Sequence, residues 1–476
     1  MSENAVFEPT VIHRGGVLQR FHLFYRSTLY QAIVLGFISF TQPGIWTALN
    51  YLGAGGLASP FFVNAANVIT FAIMVFFSPI SAILGNRLNI KWILVFGTLG
   101  FAPYSAALYC NSVYGTEWFL LFGAVTCGFS AAALWTSEAA IGVGYPELKN
   151  RGFYIAIWLS LNKIGQIIAN SIQLGLNAQA DQQGSISPNT YLVLIALQCL
   201  GLPLSLTIAE PKKLIRSDGT KPLIGSRRTP IKQGFKDFWS VIKRKEIFML
   251  VPIFITAQWA QTYEGNYLVT YFSVRGRALA GFIASIVSFV VDILLGILLD
   301  NKYLRRSVTA KASWIFIFVA YTATWIYHFI LQADLSRTTP SLDINSHGFG
   351  RAAGVYILYR VGYESTNVWM YWVLGTLDAD IKTLALSTSL LRAGESFGSA
   401  FSYGVGASKS ATLMTNLIVA AVVFWASVPS TTFSAWKVED VDHDARDAEG
   451  EASPTGPSVE SVKIGVDADT KECIIR

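Results

Sequence analysis

Charge is scarce in this sequence. Asp, Glu, Lys and Arg make up 14% of its 476 residues, against about a quarter in soluble domains, so the chain cannot clothe several solvent-facing domains in the usual way. Cysteine is scarcer still: Cys110, Cys127, Cys199 and Cys473 lie far apart with no C-x-x-C pair, which leaves no thiol metal site or redox couple and reads as packing. The five histidines, His13, His22, His328, His347 and His443, stand in neither H-x-x-x-H nor H-x-x-x-x-D spacing. No convincing nucleophile elbow or phosphate loop accompanies them. An enzyme, a metal site and a cofactor are therefore not expected. The sequence also lacks an Asn-x-Ser/Thr sequon and a small-residue cleavage site around its first apolar run, so that run is expected to stay as a helix rather than leave as a signal peptide. The final Cys473-Ile474-Ile475-Arg476 has the outline of a prenylation box but ends in Arg, which such boxes do not accept.

What is abundant is apolar bulk. Hydrophobic residues reach 52%, with 31 Phe and 13 Trp, and the mean hydropathy is +0.44. A helix needs about 20 predominantly apolar residues to cross a bilayer, because lipid offers backbone amides nothing to bond to. Twelve such runs are present, at 29–52, 61–83, 92–111, 117–140, 153–178, 190–209, 248–272, 278–300, 310–332, 351–376, 383–405 and 411–432. Polar residues interrupt several of them, and the fourth, fifth, tenth and eleventh stand out least from their surroundings. The expected fold is an all-α, polytopic membrane protein with the lipid bilayer as its main partner.

Lys and Arg favour cytoplasmic loops. With the N-terminus inside, 24 of these bases fall on the inner side of the twelve runs and five on the outer side, Arg275, Arg277, Arg337, Arg351 and Lys409. Both termini are then expected in the cytoplasm; no sorting motif separates a plasma membrane from a vacuolar or other endomembrane. The chain divides into an N-terminal tail at 1–28, a six-helix half at 29–209, a basic linker at 210–247, a second half at 248–432 and a tail at 433–476. The linker carries eleven bases between Lys212 and Lys245, with Pro211, Pro222 and Pro230, and suits orientation and anionic headgroups rather than nucleic acid. The tail has eleven Asp/Glu against five Lys/Arg and is expected to be disordered.

Corresponding positions in the two halves match weakly but repeatedly, the mark of a duplicated transporter. Asn162-Lys163-Ile164-Gly165-Gln166 parallels Leu391-Arg392-Ala393-Gly394-Glu395, and Asn50-Tyr51-Leu52 parallels Asn266-Tyr267-Leu268. The turn Gly85-Asn86-Arg87-Leu88-Asn89-Ile90-Lys91 parallels Gly296 followed by Asp300-Asn301-Lys302-Tyr303-Leu304-Arg305-Arg306. These basic turns resemble the major facilitator signature of Gly, acid and spaced bases, although Gly85 stands where the first turn should have an acid. The string Pro43-Gly44-Ile45-Trp46-Thr47-Ala48-Leu49-Asn50-Tyr51-Leu52-Gly53-Ala54-Gly55-Gly56 is similar to the helix-one signature of one branch of that superfamily, the uncoordinated-93-like or ion channel regulatory proteins, in its fungal form. Ala132-Ala133-Leu134-Trp135-Thr136-Ser137-Glu138-Ala139-Ala140, with Tyr145-Pro146-Glu147 and Arg151-Gly152 beyond it, resembles the same branch in helix four. The resemblance runs from about residue 29 to 430. It implies two pseudo-symmetric six-helix halves that move a small solute by alternating access. Because the branch takes its name from a regulatory role, a non-transporting regulator or trafficking partner of another membrane protein stays open beside transport.

An ionisable side chain near mid-membrane costs at least about 2.5–3.5 kcal/mol, so each one is a functional candidate. The runs contain Glu138, Lys163, Glu264, Asp292, Arg360, Glu364, Arg392 and Glu395. Arg360 and Glu364, four apart, and Arg392 and Glu395, three apart, are spaced to pair on their own helices. Such pairs serve either helix packing or a pathway. Lys163 and Glu264 have no partner on their own helices and are expected to face a central cavity between the halves, with Asn50, Gln166 and Asn266 as further pathway candidates. Glu138 is placed near an interface and Asp292 near the cytoplasmic end, so both rank lower. Glu264 and Glu395 would suit proton coupling. Pro43-Gly44 should break helix one near its middle, shaping either a pathway or a plain packing kink, while Gly36, Gly123, Gly128, Gly165 and Gly175 are expected to allow close helix packing.

Overall fold

The computed structural model describes residue 21 and residues 23–440, except 53, 58–59, 147–150, 217–229, 300–302, 378–380 and 409. Asp300 and Lys302 of the second basic turn, the middle of the linker, and the tails before 21 and after 440 therefore lie outside the described residues. The described residues up to Val438 form one compact unit.

Among the described residues, twelve helical spans follow one another. The first six are Thr28–Tyr51, Pro60–Arg87, Ile90–Tyr114, Glu117–Gly144, Arg151–Leu176 and Pro188–Thr207. After a linker helix at Ile231–Ile242 come span seven in two pieces, Val251–Thr256 and Gln261–Tyr271, then Val274–Leu299, Arg306–Thr338, Phe349–Leu377, Ile381–Gly406 and Leu413–Trp436. Side chains that satisfy orphan amides mark several starts: Ser27 accepts from the Tyr30 amide, Asn89 from Lys91 and Thr412 from Thr415. Gly115, at φ 68°, closes span three in the left-handed conformation that only glycine enters without cost. Spans nine and twelve outrun the apolar runs at 310–332 and 411–432, because helix continues into polar ends that apolarity alone does not mark. Residues 433–436, expected in a disordered tail, are the last turn of span twelve.

Among the described residues, eight spans are long and apolar enough to cross a membrane on composition alone. The four that fall short are five, seven, ten and eleven, and these carry Lys163, Glu264, Arg360 with Glu364, and Arg392 with Glu395. Their polar faces are turned inward, where hydropathy averaged along the chain cannot see that lipid is avoided. Outward, Phe76, Trp118, Leu294 and Ile297 are exposed, as a lipid-facing surface requires.

The buried apolar residues fall into two clusters. One draws on Val34 to Leu214 with Val274, Ala278 and Tyr403; the other draws on Val241 to Val438 with Tyr51 alone from the first half. Each six-helix half thus has its own apolar core. Between the halves, span two packs on span eleven and span five on span eight, and the linker helix lies against spans two and eleven.

Candidate functional site

Spans one and seven are interrupted at matching places. In span one, Phe40–Gly44 widens into a π-helical turn around Pro43, since proline has no N–H to continue the ladder. In span seven, turn-type bonds replace the helix between Thr256 and Gln261, with Trp259 N donating to Thr256 O and Gln261 N to Gln258 O. The interruptions stand at the same distance before Asn50 and Asn266, the two members of the sequence repeat. Paired broken helices of this kind point to the binding region of a duplicated transporter.

The first half contributes Lys163 from the middle of span five. Its Nζ lies 2.9 Å from Glu364 Oε2 on span ten and 3.2 Å from Asp292 Oδ2 on span eight. Tyr51 of span one donates its hydroxyl to Glu364 Oε1 at 3.3 Å and stands 3.4 Å from Ser288 Oγ. One ammonium therefore holds two carboxylates of the opposite half. The spacing of Arg360 and Glu364 predicted a pair on one helix, and that pair is not formed: Glu364 is taken by Lys163. Asp292, ranked low for its place near a helix end, belongs to the cluster because span eight runs antiparallel to span five and brings its last turns to the middle of its neighbour.

Arg360 turns instead into a cage of tyrosines. Its guanidinium lies 3.9 Å from the Tyr51 ring and within 5.0–5.4 Å of the Tyr356, Tyr359 and Tyr363 rings. Nη2 donates to the Tyr356 hydroxyl at 2.9 Å, while buried Nε and Nη1 have no hydrogen-bond partner among the described residues. Arg360 also lines a crevice between the halves, with Asn50, Asn64, Asn67, Gln261 and Asn266. Asn64 donates to Asn266 Oδ1 across it at 3.1 Å, and Asn50 donates to Trp46 O within its own helix.

Glu264 does not face this crevice. Its helix turn points it into the second half, where Oε1 lies 2.8 Å from His328 Nε2 with both side chains fully buried, in contact but without hydrogen-bond alignment. Tyr263 and Gln332 complete the nest: the Tyr263 hydroxyl sits 3.3 Å from His328 Nδ1 and donates to Gln332 Oε1 at 3.2 Å. No spacing rule links positions 264 and 328, so the sequence left His328 unassigned. Arg392 and Glu395 meet at 2.9 Å as their spacing predicts, with the Arg392 guanidinium over Trp135 at 4.2 Å. Glu138 is fully buried and accepts from Ser39 Oγ at 3.1 Å; Ser39 in turn receives Asn162 Nδ2, and Asn162 receives Gln166 Nε2 at 2.8 Å. These contacts tie spans one, four and five inside the first half. Of the basic turns, Lys91 Nζ donates to Leu206 O at 2.8 Å, Arg87 is exposed, and Arg305 and Arg306 open span nine.

On the side away from the linker, polar bonds join the halves. Val274 N donates to Gln182 O and Arg275 N to Ala180 O, both at 2.9 Å, and Gln183 Nε2 to Thr270 O at 2.8 Å. The buried Arg277 donates to Gly184 O. Two of the five outer bases are thus structural, since Arg275 also clasps Asp343 with Nε and Nη2. The Arg275 guanidinium holds the Asp343 carboxyl well below the usual carboxylate range.

A family model described as the Major Facilitator Superfamily matches residues 27–402. Notoamide biosynthesis cluster protein O' of Aspergillus versicolor is 33% identical over 416 residues, 87% of this chain and 90% of its own. An UNC93-like protein of Schizosaccharomyces pombe is 26% identical over 88% of this chain and 87% of its own, and UNC93-like protein 1 of Arabidopsis thaliana is 26% identical over 83% and 87%. In fold the chain is similar to a D-xylose–proton symporter, with TM-score 0.54 and 12% identity over 89% of this chain and 98% of that one. A nucleoside transporter matches with TM-score 0.56 and 16% identity over 86% and 100%.

Proposed function

Because this chain belongs to the Major Facilitator Superfamily, in its UNC93-like branch, we propose that it moves a small solute across a membrane by alternating access, its halves rocking about the Lys163 cluster. The observation that carries this reading is the ionic bridge itself. Lys163 of one half is held by Asp292 and Glu364 of the other, while each half keeps a separate apolar core. Two bodies with their own cores, packed along spans two and eleven and spans five and eight, can re-pair these polar contacts in a second arrangement without dissolving either core.

The same cluster supports proton coupling. Two carboxylates share one ammonium, so a proton on either of them releases one strand of the bridge and leaves the other. Glu264 is a weaker candidate for this step, because it is enclosed with His328 inside one half. The name of the Aspergillus relative favours a small organic cargo. The inner excess of Lys and Arg favours both termini in the cytoplasm.

Spin labels at Gln179 and Thr338, exposed on opposite halves away from the linker, test the rocking motion in lipid nanodiscs. Two distance populations are expected, exchanging weight between neutral and acidic pH. A single narrow distance under both conditions rejects alternating access and leaves the regulatory role that the UNC93-like names bring.

A further inference from the structure

We infer that the cargo is a small organic anion, bound through Arg360, and that it crosses together with one proton. This rests on the transport reading and names its substrate class. Lys163 and Arg360, the cations of spans five and ten, are not equivalent. Lys163 is engaged by two carboxylates, whereas Arg360 touches none and keeps Nε and Nη1 without a partner at 2% exposure. A buried guanidinium with unused donors is costly unless something fills them, and its planar fork of donors suits a carboxylate or similar oxyanion. The surrounding tyrosines stabilise the cation through their ring faces but cannot neutralise it.

In this closed arrangement the crevice has room for about one water molecule, and its wall agrees with this assignment. Asn64, Asn67, Gln261 and Asn266 supply neutral donors and acceptors, and the Thr262 hydroxyl, 2% exposed, has no partner among the described residues. No acid lines the crevice to repel an anion. With their side chains ionised, Lys163 and Arg360 balance Asp292 and Glu364. An anion on Arg360 upsets that balance by one charge, and a proton on Asp292 or Glu364 restores it. The groups facing those carboxylates are Lys163 from span five, Tyr51 from span one, Ser288 from span eight and Arg360 from span ten. Entry of both ligands keeps the buried cluster neutral, which couples them one to one.

The test uses the purified full-length protein and a library of small carboxylates, each paired with its primary amide. At least one carboxylate should raise the melting temperature of the wild-type protein while its amide does not. Arg360→Gln should weaken the apparent affinity for that acid roughly 30-fold or more. Arg360→Lys keeps the charge, so it should respond at an intermediate level and show that the fold tolerates change at this position. In proteoliposomes the same acid should accumulate under an inwardly directed proton gradient, with no response to an imposed membrane potential. Equal stabilisation by amides, no stabilisation by either series, an undiminished response in Arg360→Gln, or potential-driven uptake overturns the inference. Uptake of neutral amides instead overturns it while transport stands. Acid binding through Arg360 with a single fixed distance between the spin labels leaves the anion site intact and removes the transport reading.

Discussion

A single ammonium between two carboxylates makes Lys163 more demanding than either acid. Removing it leaves Asp292 and Glu364 without the ammonium that holds them both, and breaking a buried ion pair by removing one partner costs about 3–5 kcal/mol. Lys163→Met is therefore expected to lower thermal stability by that order. Adding Glu364→Gln should recover a substantial part of the loss, as a double-mutant cycle in detergent can measure. Strict additivity of the two substitutions would mean that the residues do not share one charge cluster. At this scale the sequence was half legible. It marked every charge in the cluster as worth attention, and the three-residue spacing of Arg392 and Glu395 gave their pair correctly. It placed Glu364 with Arg360 because helical spacing knows only neighbours on one helix, whereas the partners that matter, Lys163 for Glu364 and His328 for Glu264, arrive from other spans.

Helices one and seven owe their breaks to different local causes. In span one the cause is written in the sequence as Pro43; in span seven no proline stands at the break between Thr256 and Gln261, and only the folded chain displays it. Close approach of helices was legible as glycine, but unevenly. A methyl group at Gly165 would stand 2.9 Å from Phe40 Cα, and one at Gly398 only 1.8 Å from Ile255 O, whereas at Gly175 and Gly354 it would meet nothing within 4 Å. Gly175 was expected to pack closely and does not, since spacing along a helix does not say which face has a neighbour. Gly165→Ala is expected to destabilise by about 1–3 kcal/mol through overpacking against the π-helical turn. Gly398→Ala, which meets a backbone carbonyl, should cost at least as much. Gly354→Ala provides the control and should lose nothing measurable. Equal melting temperatures for all three variants would contradict the packing described for spans one, five, seven and eleven.

Over the whole molecule, the twelve spans and the two-half plan were legible because apolar runs of membrane length and a central basic segment are long-range features that survive local irregularity. The four spans short of apolarity carry Lys163, Glu264, Arg360, Glu364, Arg392 and Glu395, so the signal was weakest where the ionisable residues are concentrated. The inner charge excess leads to a topology that labelling can check. Single cysteines at Lys236 on the linker helix and at Ser341 between spans nine and ten, in a cysteine-free background, should differ in reach. An impermeant maleimide added to intact cells should modify the Ser341 position and spare the Lys236 position. The opposite pattern would invert the molecule in its membrane.

The contacts that close the halves away from the linker have a further consequence. Val274, Arg275, Gln183 and Arg277 reach across to peptide oxygens or offer their own peptide groups, so water can take up each bond as it parts. Opening there wets these peptide groups together with Val274 and Ala278, which pack into the core of the first half, and polar and apolar hydration change heat capacity in opposite directions. For the rocking motion proposed above, the balance between closed and open forms should consequently respond to temperature with little curvature, so that cooling does not by itself lock the halves together.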